Sequence, residues 1–162
     1  MFEAMTWLET SLMAETLRGL GIWSYGIINL IHIIGICCLF GAVVILDLRL
    51  MKLWLRVPLP VIASVTVPVA TFGGIIAIPS GIAMFLMNAA QYYSNVFLYL
   101  KLPVLGLALL NVVLVTQLAA WRRAVAGEIS NSNDGWVLAL AGGTSLVLWT
   151  TVITCGRMIG YW

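Results

Sequence analysis

Residues 32–52 read HIIGICCLFGAVVILDLRLMK. No residue from Ile33 to Leu46 carries a charge, and Asp47, Arg49 and Lys52 then follow within two helical turns. Extended upstream to Ile22, the apolar run covers 22–46. As a helix rising ~1.5 Å per residue, it crosses the ~30 Å hydrocarbon core of a bilayer. Trp23 and Tyr25 stand at its start as interfacial aromatics, and the charged cluster marks its exit. The run reads as a membrane span, and it holds the only histidine of the chain, His32.

The pattern repeats downstream. No charged residue occurs from Val57 to Leu100. A second span is expected over 61–87, kinked by Pro68 and Pro79, with Gly73, Gly74 and Gly81 as surfaces for close helix approach. A third is expected over 97–121, with Lys101 near its start. The fourth, 135–161, ends in Gly156-Arg157-Met158-Ile159-Gly160, a spacing of small residues that lets helices approach. Ahead of these, residues 2–20 place Phe2, Met5, Leu8, Leu12, Leu17 and Leu20 at roughly helical spacing. Glu3, Thr10, Glu15 and Arg18 lie elsewhere on the wheel, as in a helix lying in the interface. The expected fold is all-α: an integral membrane four-helix bundle with a short N-terminal interfacial amphipathic helix, in a single transmembrane domain.

Composition agrees. Of 162 residues, 62% are hydrophobic and only 9% charged, against about 25% charged in a soluble domain. Too little charge is present to coat a water-soluble globule, so the lipid bilayer is the expected solvent. Four spans use nearly all of the chain and leave no room for a soluble catalytic domain. A net charge of +2 with no basic tract argues against nucleic acid as a partner. Cys37, Cys38 and Cys155 all fall in apolar runs and read as small packing residues. The acidic start, Glu3, Glu9 and Glu15 before Arg18, has the wrong charge for a signal peptide. Arg49, Lys52 and Arg56 follow span 1, Arg122 and Arg123 follow span 3, and the loop between spans 2 and 3 has no basic residue before Lys101. The positive-inside rule puts the first and third loops in the cytoplasm and both termini on the other side.

The polar residues inside the apolar runs carry the functional argument. His32 lies about ten residues into its span, about 15 Å deep. Asn29 and Tyr25, three and seven residues before it, share its helix face. Gly35 lies one turn further on that face and is expected to leave an opening beside the imidazole. An imidazole at this depth suits a haem iron or a copper ion, or hydrogen-bonds structurally to Asn29 or a neighbouring helix, or moves protons. With one histidine, bis-histidine ligation within one chain is excluded. Lys101 and Arg157 fall near the non-cytoplasmic ends of spans 3 and 4. They either snorkel to the headgroups or clamp the carboxylates of a cofactor above His32. Met84 and Met87 are candidate thioether ligands to a metal at His32, or core packing. Asp47 is expected to meet Arg122 or Arg123, and Asn111 to bond across helices. No hydrolytic constellation, phosphate loop or Cys-x-x-Cys is present.

The runs HIIGICCLFGAVVILDLRLMKL, YYSNVFLYLKLPVLGLALLN and SLVLWTTVITCGRMIGYW resemble four-helix bacterial membrane proteins related to the CopD copper-resistance family. More distantly they resemble the HemJ-type haem-synthesis membrane oxidases. The matching positions are His32, Asp47-Leu48-Arg49, Lys101-Leu102, Asn111 and Gly156-Arg157. The HemJ resemblance implies haem at His32, and the CopD resemblance implies copper passage. The resulting expectation is a b-type haem protein of the bacterial inner membrane, with His32 as axial ligand and Lys101 and Arg157 near the propionates. It would transfer electrons as a homo-oligomer or beside a redox partner subunit. The alternatives are a copper-handling protein using His32 with Met84, Met87 or Met158, and a cofactor-free subunit.

Overall fold

The computed structural model describes residues 2–128 and 132–161. They form seven α-helices: α1 Phe2–Glu9, α2 Leu12–Gly19, α3 Ser24–Leu50, α4 Leu59–Met87, α5 Val96–Gln117, α6 Ala119–Val125 and α7 Ser132–Met158. Short 3-10 turns cover Ala89–Tyr92 and Ile159–Tyr161. No strand occurs among the described residues. The four long helices are each long and apolar enough to cross a membrane.

The N-terminal segment is two helices, not the single one its periodicity predicts. Ser11 breaks it: its side chain accepts the Ala14 N–H at 3.4 Å and starts α2 afresh. Gly21, at φ +112°, ends that segment. The third span also stops short of its expected end. Leu118 is extended, and the Arg122 guanidinium takes the Gln117 carbonyl at 2.9 Å, so α6 begins as a separate helix. At the other end of α5, Asn95 accepts from Phe97 N at 3.1 Å and Leu98 N at 3.4 Å. Its amide also donates to Ile159 O at 3.1 Å, fastening α5 to the end of α7.

The spans pack in the order α4–α3–α7–α5, and α4 and α5 do not pack along their lengths. Glycines set the closest pair. A Cβ on Gly73 would meet the Leu39 amide nitrogen and lie 2.7 Å from Gly35 O. A Cβ on Gly35 would lie 2.8 Å from Ala77 N. The two backbones therefore interlock in an antiparallel register that pairs Leu39 with Gly73 and Gly35 with Ala77. Along the α3–α7 seam, Asp47 meets Ser145, Val43 packs with Trp149, and Gly142 lies against Asp47 and Leu50. All four spans come together where Phe40, Ala70, Ala108 and Trp149 share one cluster.

The bulky aliphatics mostly point outward. Ile27, Leu30, Ile31, Ile33 and Ile34 of α3 are all exposed, whereas Gly35, Ala42 and Val43 are buried. Small residues inside and large apolar residues outside is the distribution of a protein whose outer surface meets lipid.

Candidate functional site

The α3–α4 register brings Ser80 to His32. Gly73, Ala77 and Ser80 lie at i, i+4 and i+7 on the face of α4 that touches α3, so the serine arrives one turn beyond the Gly35–Ala77 contact. His32 Nδ1 is 3.0 Å from Ser80 Oγ. The hydroxyl is 2.5 Å from Ile76 O and 3.2 Å from Ala77 O, so its single proton goes to its own helix. Ser80 Oγ can then only accept from the imidazole. A neutral imidazole held this way carries its proton on Nδ1 and leaves the Nε2 lone pair free.

Two further helices reach the same level. The Lys101 ammonium, on α5, lies within electrostatic reach of His32. It rests over α7: a Cβ on Gly156 would be 3.1 Å from Lys101 Nζ, and buried Cys155 lies beside it. Gly81 plays the matching part for the histidine, since its Cβ would be 2.9 Å from His32 Cε1. Each polar head group is thus received by a glycine on the facing helix. The resulting centre takes His32 from α3, Ser80 and Gly81 from α4, Lys101 from α5, and Cys155 and Gly156 from α7.

Other predicted members stand elsewhere. The opening expected beside Gly35 is filled by Ala77 of α4. Asn29 makes no hydrogen bond to His32 among the described residues, since the imidazole turns to α4. Tyr25 pairs instead with Tyr92, two turns outward. Arg157 is exposed, with its guanidinium 4.7 Å above the Tyr161 ring and hydrogen-bonded to the phenol. It points along the helix end, not over His32. Continuing the α3–α4 register sets Met84 about one turn and Met87 about two turns outward from the imidazole. Met87 is buried beside Arg18 and Tyr25. Among the described residues no group of three histidine, cysteine or acidic side chains converges on a metal position.

Residues 4–162 match a family of unknown function, DUF6644. The chain belongs to this family. No curated protein and no solved structure matches it.

A second buried polar group lies toward the α3–α4 loop end of the spans of this DUF6644 member. Asp47, 4% exposed, hydrogen-bonds to Ser145 rather than to an arginine. Arg123 is held by Asp134 at 2.8 Å, and Arg122 by the end of α5. Neither cation is left for α3. Among the described residues, Asp47 Oδ2 and Trp149 Nε1, about one turn apart along the α3–α7 seam, are buried with no hydrogen-bond partner. Asn111 does bond across helices, donating to Ala141 O at 3.3 Å.

Proposed function

We propose that this DUF6644 protein is a membrane-embedded b-type haem protein that transfers electrons within a redox complex, with His32 as the axial iron ligand. The observation that carries this reading is the Ser80–His32 hydrogen bond. It fixes the Nδ1–H tautomer and leaves Nε2 free, which is how a second partner commonly orients a ligating imidazole. The flank of the ring facing α4 is closed by Gly81, and the α5 side carries Lys101. Lys101 stands there as a cation for the haem carboxylates.

When bound, haem supplies one-electron chemistry. The protein's own part is to hold the imidazole in one tautomer, exclude water from its α4 flank, and place a positive charge on the other side. The resemblance to haem-handling membrane oxidases points the same way. The basic residues Arg49, Lys52, Arg56, Arg122 and Arg123 support a bacterial plasma-membrane orientation with the α3–α4 and α5–α7 loops in the cytoplasm.

The test is an absorption spectrum of protein purified from haem-replete cells. A Soret band is expected, and His32→Ala should lose it while remaining inserted. A colourless wild type containing copper by elemental analysis would favour copper handling. A colourless, metal-free protein would favour a cofactor-free subunit.

A further inference from the structure

About two turns outward from His32 lies a polar cleft that the haem reading does not use. Arg18 of α2, Tyr25 of α3, Met87 and Asn88 at the end of α4, and Gln91 and Tyr92 of the first 3-10 turn line a space of about 350 Å³. The cleft exists because the N-terminal helices fold back onto the end of α4. Glu9 accepts the Ala90 N–H at 2.6 Å, and Arg18 donates to Met87 O at 3.1 Å. Leu20 and Ile22, between Arg18 and Tyr25 in the chain, are exposed, so the cleft adjoins a surface suited to lipid.

We propose that this cleft binds the head group of a membrane quinone: an uncharged ring with two carbonyl oxygens, whose apolar tail stays in the bilayer. Three observations select this chemistry. First, the lining offers uncharged hydrogen-bond donors to a carbonyl oxygen. The Tyr25 and Tyr92 phenols bond to each other, which uses one of their two protons and leaves the other to donate. The Asn88 and Gln91 carboxamides make no hydrogen bond among the described residues, so their N–H groups are available. Second, the one charge in the lining is already answered. Arg18 bonds to the Met87 and Glu9 carbonyls and lies 3.7 Å from the Glu9 carboxylate. A phosphate would require an uncommitted cation, whereas a neutral carbonyl does not. Third, the walls suit a flat ring. Tyr92 is held by Phe85 stacked at 6.2 Å with 15° between the planes, and the Met87 thioether adds a soft apolar contact. The volume fits one substituted ring and leaves a long tail outside.

Burial and the neighbouring Tyr25 push the Tyr92 phenol up to about 12, so it remains a donor at any physiological pH. Seven helical residues separate Tyr25 from His32, which puts the cleft about 10 Å from the imidazole. The proposal does not require iron at His32, because binding is measurable in metal-free protein.

The experiment titrates detergent-solubilised full-length protein with a quinone bearing one isoprenoid unit and follows quenching of tryptophan fluorescence. Saturable quenching above linear partitioning is expected. Gln91→Leu with Tyr92→Phe should weaken it at least tenfold, and Asn88→Leu should weaken it independently. Tyr161→Phe, outside the cleft, should bind as wild type does. Thermal midpoints identify any variant that fails to fold, in which case the remaining variant decides. Quenching that never saturates, equal affinity in folded cleft variants, or displacement of the quinone by inorganic phosphate would overturn the proposal. If the protein is colourless but binds the quinone saturably, the haem reading fails and this one stands.

Discussion

Ser80 Oγ lies 3.0 Å from His32 Nδ1 and 2.5 Å from Ile76 O, and a hydroxyl has one proton to give. Ser80→Ala removes the acceptor that selects the imidazole tautomer. Haem affinity should fall about 10–100-fold on titration of the apoprotein with haemin. Nitrogen NMR of the labelled imidazole should show the proton no longer confined to Nδ1. A variant with unchanged affinity and an unchanged tautomer would remove Ser80 from the site.

Gly73 and its neighbour Gly74 should behave oppositely. A Cβ at Gly73 would fall 2.7 Å from Gly35 O and 2.8 Å from Leu39 Cα, both backbone atoms that cannot step aside. Gly73→Ala should therefore destabilise the α3–α4 pair by about 1–3 kcal/mol, seen as a lower thermal midpoint in detergent. A Cβ at Gly74 meets nothing within 4 Å, so Gly74→Ala should be neutral or slightly stabilising. Equal effects from the two would contradict the helix register.

Ser145→Ala leaves the buried Asp47 carboxyl without its hydrogen-bond partner and should cost about 1–3 kcal/mol. Replacing both groups, Asp47→Leu with Ser145→Ala, should restore most of that loss because no polar group is then stranded. Denaturation midpoints of the three proteins decide between additive and compensating effects.

The Tyr92 phenol, pushed up to about 12 by burial and by Tyr25, gives a pH signature. The unfolded chain releases that proton near pH 10, whereas the folded protein keeps it. The folded state then binds more protons, so stability should fall as pH rises from about 10 to about 12. Thermal midpoints between pH 9 and 11.5 should slope downward. Tyr92→Phe should flatten the slope.

The basic loops predict that reporter fusions after Gly127 and at the C-terminus report opposite sides of the membrane. Two fusions on the same side would end the four-span topology.

The spans were legible because hydropathy and aromatic placement are written into every residue of a membrane helix. His32 and Lys101 were legible for the same reason: each is a polar residue in an apolar run. Their partners were not. Ser80 sits in the run Ile78-Pro79-Ser80-Gly81, where the proline dominates the reading. The serine gains its meaning only from the register that Gly35 and Gly73 impose. The spacing of Gly73, Ala77 and Ser80 on one face was the available signal. Sequence depth alone cannot tell which way the long side chain of Arg157 turns. Here the Tyr161 phenol, four residues on, captures it. Asp47 meets Ser145 and not Arg123, because Asp134, nearby in sequence, takes that guanidinium.

The interlock of α3 with α4 also sets an order of manufacture. Everything that orients the imidazole, from Gly35 to Gly81, is encoded before residue 82. In a chain threaded into the bilayer from its N-terminus, the first hairpin carries a fully aligned histidine while α5 and α7 are still being synthesised. Lys101 and the Gly156 notch that receives it come afterwards. The oriented ring is in place first, and its neighbouring charge is delivered last.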